Sequence, residues 1–165
     1  MTARSAGLLL FRRPADGSAD GSAASSVEVL LGHPGGPYWL PKNEGVWGIP
    51  KGEIEAGEEP LSVARREFEE ETGHAAPLGG EIELGEIRKK SGKVVTAWAA
   101  EGDLDPADAH SNTFPMEWPP KSGKIIQAPE IDRVEWFAPD EARRHISTAE
   151  WPFVERLLAA LEERG

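Results

Sequence analysis

The sequence predicts an α/β fold, a mixed β-sheet packed between helices, and three observations carry that reading. Residues 4–13, 27–33, 81–90, 93–101 and 132–138 are short apolar or alternating runs bounded by turn-forming residues, the pattern of strands. Residues 60–72 have helical spacing with both ends marked. Residues 150–164 place Phe153, Val154, Leu157, Leu158 and Leu161 on one face of a second long helix. No internal repeat or linker divides the chain, so one domain over residues 1–165 is expected, large enough to bury a core.

Taken in order, residues 4–13 (RSAGLLLFRR) are apolar enough for a strand buried on both faces. Residues 14–26, rich in Ala, Asp, Gly and Ser, read as a mobile hairpin loop leading to an antiparallel second strand at 27–33 (VEVLLGH). Residues 34–51 hold four prolines among glycines and aromatics, which predicts ordered loop. Its end, 46–50, is expected to pair briefly as a strand that delivers Lys51 and Gly52. Residues 81–90 and 93–101 form two strands around a tight Ser91–Gly92 turn. The stretch 102–129 contains Pro106, Pro115, Pro119 and Pro120 and reads as long and irregular. Loops of that length are commonly functional, here as a lid over a site or as a dimer or protein contact. A strand at 132–138 and a short helix at 139–145 precede the C-terminal helix.

The helix over 60–72 organises the rest. Glu58 and Glu59 sit where the positive end of the helix dipole favours carboxylates, Pro60 suits the first helical position, and Gly73 can take the left-handed conformation that ends a helix. Leu61, Ala64 and Phe68 share one face and are expected to pack in the core. Glu67, Glu70 and Glu71 share an adjoining face, because residues three and four apart are neighbours. Such a grouping repels itself unless it is simply solvated or a cation joins it. Mg²⁺ fits the second case: it takes oxygen ligands, keeps several waters and bridges one or two carboxylates to substrate phosphates. The loop at 52–57 contains two glycines, so its backbone can approach and offer the Gly52 carbonyl as a further oxygen.

Gly52, five residues, Glu58, seven residues, then Arg66-Glu67-Phe68-Glu69-Glu70-Glu71-Thr72-Gly73 resembles the Nudix box. Seven fixed positions at about one in ten each would coincide about once in 10⁷ windows, so the match is specific. One position departs: His74 stands where an aliphatic residue is usual, which bears on packing and not on the carboxylates. RSAGLLLFRR, PGGPYW, GVWGIPKGE, KSGKVV, SNTFPMEWPP and PEIDRVEWF extend the similarity over nearly the whole chain, to a bacterial Nudix group described as NTP pyrophosphohydrolases. WGIPKGE is also similar to the branch that cleaves diadenosine tetraphosphate asymmetrically. The resemblance implies an α/β/α sandwich and a divalent-metal-dependent hydrolase, with Mg²⁺ or Mn²⁺, attacking a phosphoanhydride of a nucleoside polyphosphate. A Nudix fold kept only for nucleotide or protein binding is the alternative.

By the same resemblance, Glu70 and Glu71 are metal ligands with the Gly52 carbonyl, and Glu67 is either a further ligand or the general base. Arg66 orients a glutamate, with Glu70 in i, i+4 reach, and Glu58 fixes the loop and helix start. A further acidic ligand outside the box is expected at Glu130, with Glu117 as the second choice. Lys51 is the leading phosphate contact, ahead of Lys42, Lys90 and Lys93. Tyr38, Trp39 and Trp118 lie in Pro/Gly-rich loops and suit base stacking, whereas Trp47, Trp98 and Trp136 lie in strand contexts and suit the core. His33, His110 and His145 have no ligand spacing and are given no chemistry.

A net charge of −11 argues against duplex nucleic acid or an anionic membrane as partner, although not against a nucleotide held by metal and a few lysines. Cysteine is absent, which excludes disulfides and thiol chemistry. The apolar run 6–11 is too short for a signal sequence or a membrane span. A cytoplasmic monomer or homodimer acting on a small nucleotide is the expectation.

Overall fold

The computed structural model describes residues 3–13 and 27–164, so the loop expected at 14–26 lies outside the described residues. Its centre is a mixed sheet in the order β4 (Ile82–Arg88), β5 (Val94–Glu101), β1 (Arg4–Arg12), β2 (Glu28–Pro34), β8 (Ile131–Phe137). Short β3 (Lys51–Glu53) pairs with β1 off that path. β1 runs parallel to β5 and antiparallel to β2. The alternation of β1 fills both faces, as its sequence predicts. Leu8 and Leu10 pack against Val63, Ala64 and Phe68 of α1 (Pro60–Thr72). Leu9 and Phe11 point the other way, into the cluster that holds Phe153, Leu157 and Leu161 of α3 (Trp151–Arg164). α2 (Pro139–His145) adds Ala142 on that same side. The result is the expected α/β/α sandwich.

α1 forms where its sequence says it should. The Glu59 carboxylate accepts the Leu61 N–H at 3.0 Å, Pro60 opens the helix, and Gly73 closes it at φ 78° with its N–H on the Glu69 carbonyl. Val63, not Leu61, joins Ala64 and Phe68 in the core, and Leu61 is half-buried at the margin. Phe68 is 1% exposed, so Phe68→Ala would cost about 3–5 kcal/mol.

Three expectations are corrected. Residues 46–50 form no strand of their own: Gly48 exchanges both backbone hydrogen bonds with Gly32, Trp47 bridges Ile146, and the continuous strand begins only at Lys51. Residues 102–129 are not irregular. They contain a 3-10 turn (Pro106–Asp108) and a separate hairpin, β6 (Thr113–Glu117) with β7 (Ile125–Pro129). The first strand of the 81–101 hairpin stops at Arg88, because the turn begins at Lys89, whose N–H donates to the Lys93 carbonyl at 2.9 Å.

The sheet is splayed at one end, and that positions everything that follows. Among the described residues, β1 and β2 pair only at Phe11–Val29 and Arg12–Glu28. Farther along they separate, and the segment from Trp47 to Glu53 wedges between them, bonding Gly32 on one side and Ser5, Ala6 and Gly7 on the other. β5 begins at this end of the sheet and β2 and β4 finish there, so the turn at Lys89 faces the same opening.

Candidate active site

A cleft of about 400 Å³ lies in that opening, between Gly52 and Glu71 on one wall and Lys51, Lys89, Lys93 and Glu150 on the other. The acidic wall is built by α1 crossing over β3. Glu67 and Glu71 are one helical turn apart, and each carboxyl group feels the other. The backbone of Gly52 runs directly beneath Glu67: a Cβ there would sit 2.2 Å from the Glu67 Cδ. Only glycine lets the strand come so close. Glu71 is 8% exposed. Burial is the main reason its carboxyl is pushed up to about 9, with Glu67 and Glu130 adding to the shift and Lys51 opposing it. Burial and then the neighbouring Glu70 raise Glu67 as well, against the pull of Glu71 and Arg66.

Arg66 ties the acidic cluster to the preceding loop. Its guanidinium pairs with Glu58 and lies 3.4 Å from Glu67 and 3.8 Å from Glu70. Glu58 also accepts the Glu55 N–H at 2.8 Å, and these two partners, Arg66 first, hold its carboxyl below the usual range. Glu70 is on the solvent side of the cluster, its backbone carbonyl taken by the Asn112 N–H. Glu130 is exposed at the cleft margin, facing Glu71. Glu117 is elsewhere: its carboxylate accepts the N–H groups of Lys121 and Gly123 and braces the β6–β7 turn.

Among the described residues no three His, Asp or Glu side chains converge on one point tightly enough to hold an ion unaided. The donor set nonetheless fits a hard divalent cation. Two adjacent carboxyl groups, one of them buried and both held above the usual range, would release their protons to a cation, and a backbone passes close beneath Glu67. Mg²⁺ completes such a set with waters and substrate phosphates.

The opposite wall contains two residues that the sequence reading missed. Glu150 is 1% exposed and accepts the Ile49 N–H at 2.9 Å. Its carboxylate also pairs with Lys51 at 2.9 Å and Lys89 at 3.0 Å. Burial would push Glu150 up, but Lys51 and Lys89 together outweigh it and hold the carboxyl low. Lys89 is held below its usual range by burial and then by the charge of Lys51. In the sequence, Glu150 opens an amphipathic helix and Lys89 is one of two adjacent lysines, so neither carries a local signal.

The aromatic candidates divide. Trp39 is 36% exposed and lines the cleft, whereas Tyr38, 55% exposed, stacks edge-on against Trp39 outside it. Lys42 does not reach the cleft: its ammonium sits 4.7 Å over the Tyr38 ring. The Lys42 carbonyl accepts His33 Nε2–H at 2.5 Å, while His33 Nδ1 lies 2.9 Å from the Asp132 carboxylate. Buried His33 is thus a fastener for the loop that carries the aromatics. Trp47 is in the core, and Trp98 and Trp136 pack partly buried against the α1-side cluster.

Against known proteins, the NUDIX domain family matches residues 20–157. An 8-oxo-(d)GTP phosphatase of Mycolicibacterium smegmatis is 34% identical over 113 residues, 65% of this chain and 32% of that protein. An asymmetrical bis(5'-nucleosyl)-tetraphosphatase of Rattus norvegicus is 35% identical over 108 residues, 61% of this chain and 66% of that protein. The chain therefore spans about a third of the first relative and just under two thirds of the second. Among solved structures, a C. elegans Ap4A hydrolase binary complex has a TM-score of 0.61 at 20% identity, covering 98% of this chain and 99% of that one. The NUDIX domain of Shewanella oneidensis NrtR, complexed with ADP ribose, also gives 0.61, at 18% identity over 98% of this chain and 89% of that one. At such identities these two bear on the fold alone.

Proposed function

The chain belongs to the Nudix family, and from that premise we propose that it is a hydrolase that cleaves a phosphoanhydride bond of a nucleoside polyphosphate in a divalent-metal-dependent reaction. The observation that supports this most directly is the cleft itself, with Gly52 and Glu71 on one wall and Lys51 and Lys89 on the other. A polyphosphate bound between them would turn its metal-bound oxygens toward the carboxylates and its other oxygens toward the ammonium groups.

When bound, Mg²⁺ supplies charge neutralisation on the phosphate and activation of the attacking water. The protein supplies position. Glu71, with Glu70 and the Gly52 carbonyl, would hold the metal; Glu67 would be a further ligand or the base that takes the proton of the water. Arg66 fixes Glu67 and Glu70 against Glu58. Lys51 contacts phosphate, Glu130 serves as an acidic group at the cleft margin, and Trp39 offers a face on which a base can stack. Tyr38 and Lys42 act only through the loop that they stiffen.

Two substrates suit this reading: an NTP, yielding NMP and pyrophosphate, and diadenosine tetraphosphate, yielding AMP and ATP. Incubation with Mg²⁺ and a panel of NTPs, dinucleoside polyphosphates and ADP-ribose, with products separated by chromatography, decides between them. Turnover is expected to vanish with EDTA and to return with Mg²⁺ or Mn²⁺. Glu70→Gln is expected to lower kcat by about a hundredfold or more without lowering Tm; full activity in that variant would remove Glu70 from the site. If no nucleotide is turned over while one still binds, the protein is a Nudix fold kept for binding.

A further inference from the structure

Glu150 carries two ammonium groups where one would complete an ion pair. A buried carboxylate needs a single cation and its hydrogen bonds to offset desolvation. Here Lys51 at 2.9 Å and the Ile49 N–H already provide that, and Lys89 adds a second positive charge at 3.0 Å. These three groups alone carry one excess positive charge in a half-buried cleft, facing Glu71 and Glu130 across it, and an anion seated between the walls would offset that charge. Lys89 has three N–H donors. Glu150 takes one, and among the described residues its other N–H groups meet no acceptor. Both lysines line the same cleft as Gly52 and Glu71, so the spare donors and the acidic wall face one volume.

The fold makes room for this carboxylate at a cost elsewhere. A Cβ on Gly48 would lie 2.9 Å from a Glu150 oxygen, so the wedge segment is glycine where Glu150 enters. Glu150 belongs to the turn before α3, on the opposite face of the sheet from α1, and reaches the cleft only through the splay. A residue serving α3 alone would have no reason to cross.

We infer that Glu150 is a positioning residue that holds the ammonium groups of Lys51 and Lys89 as a two-pronged seat for the phosphate chain, and that Lys89 itself binds phosphate. This rests on the nucleotide reading above and extends it to two residues that lie outside the box. Lys51 is aligned by its place beside Gly52; Lys89, at a hairpin turn, is aligned only by Glu150. The prong nearer the acidic wall takes the oxygens of the phosphate that is attacked. Lys89 takes the next phosphate along.

The test measures binding apart from turnover. The dissociation constant of a methylene-bridged, non-hydrolysable nucleoside triphosphate is measured by calorimetry with Mg²⁺ present, alongside KM and kcat for the best substrate. Lys89→Ala is expected to raise both Kd and KM about ten- to a hundredfold, the worth of a charge-assisted hydrogen bond, with a smaller change in kcat. Lys89→Arg keeps the cation and restores most of the loss. Glu150→Gln raises Kd in the same direction, and combining it with Lys89→Ala costs less than the product of the two single effects, because one acts through the other. A role in folding alone would lower Tm and leave Kd of the folded protein unchanged. If Glu150→Gln fails to fold, the Lys89 pair still decides. A wild-type protein that binds no such analogue sinks the nucleotide reading beneath this one. A wild-type protein that binds it, with Lys89→Ala binding equally well, sinks the assignment of Lys89 and Glu150 alone.

Discussion

Replacing Glu71 by Gln is expected to lower kcat by about a thousandfold or more and, in the same variant, to stabilise the metal-free protein at alkaline pH. The two effects share one cause. Glu71 is 8% exposed, and its carboxyl is pushed up to about 9, whereas in the unfolded chain it titrates as an ordinary glutamate near 4.5. Between those values the folded protein holds a proton that the unfolded chain has released, so stability falls as pH rises. The favourable contribution is present at the acid end and disappears as pH approaches 9. Glu67 is shifted in the same direction and adds to the slope. Gln has no proton to lose, so Glu71→Gln flattens that dependence. Calorimetry in chelator from pH 5 to pH 9 reads it: wild-type Tm should decline more steeply than that of the variant, and Mg²⁺ should rescue only the wild type. Parallel Tm curves would assign the pH dependence to other groups, and undiminished turnover would take Glu71 out of the metal site.

Gly52→Ala is the second large effect, and its origin is steric. The added methyl would lie 2.2 Å from the Glu67 Cδ and equally close to one of its oxygens, a separation that real Cβ atoms do not tolerate. Either β3 moves off β1, breaking the pairing of Gly52 with Ala6, or Glu67 swings out of the cluster. A displacement on the order of an ångström in a group that places reacting atoms costs about a hundredfold in rate. The expectation is a loss of at least that size in kcat/KM, together with a lower Tm. Gly57→Ala is the control. Unlike Gly52 it has a positive φ, 82°, so alanine there carries backbone strain of its own, but no atom lies within 4 Å of its Cβ and it does not touch the cluster. If Gly52→Ala behaved no worse than Gly57→Ala, the close approach of strand and helix would have no part in the reaction.

The acidic helix was readable because its signals are local. Pro60, Gly73 and the spacing of Glu67, Glu70 and Glu71 lie within one turn or two of what they determine, and the strands β1, β2, β5 and β8 carry their own alternation. The hairpin β6–β7 was hidden by composition: Pro115, Pro119, Pro120 and Pro129 suppress a strand reading, yet the hairpin pairs only with itself, where a missing N–H on an outer edge does no harm. The brief pairing expected at 46–50 is there as the bridges of Trp47 and Gly48, but the continuous strand falls at Lys51–Glu53, because the splay and not the segment's own sequence decides where it is held. Glu150 and Lys89 were illegible for a stricter reason. They meet across sixty residues of chain, one in the β4–β5 turn and the other in the turn before α3, and nothing around either one announces the other. Tyr38 and Lys42 show the converse: suitable residue types in a suitable loop, turned toward each other and away from the cleft.

The parallel pairing of β1 with β5 also governs how the molecule assembles. Arg4 lies opposite Val94 and Phe11 opposite Glu101, so the central strand waits for a partner most of a domain away in sequence. Contacts of such separation are slow to form, since a long loop must close before any of them is rewarded. During synthesis α1 emerges well before β5, with its carboxylates already in register but no sheet to bury Phe68 or to raise Glu71. The acidic face is then an ordinary solvated one with little preference for any ion. Under the proposed function, metal affinity would arrive with the closure of the β1–β5 seam, and ion binding would report on completion of the fold.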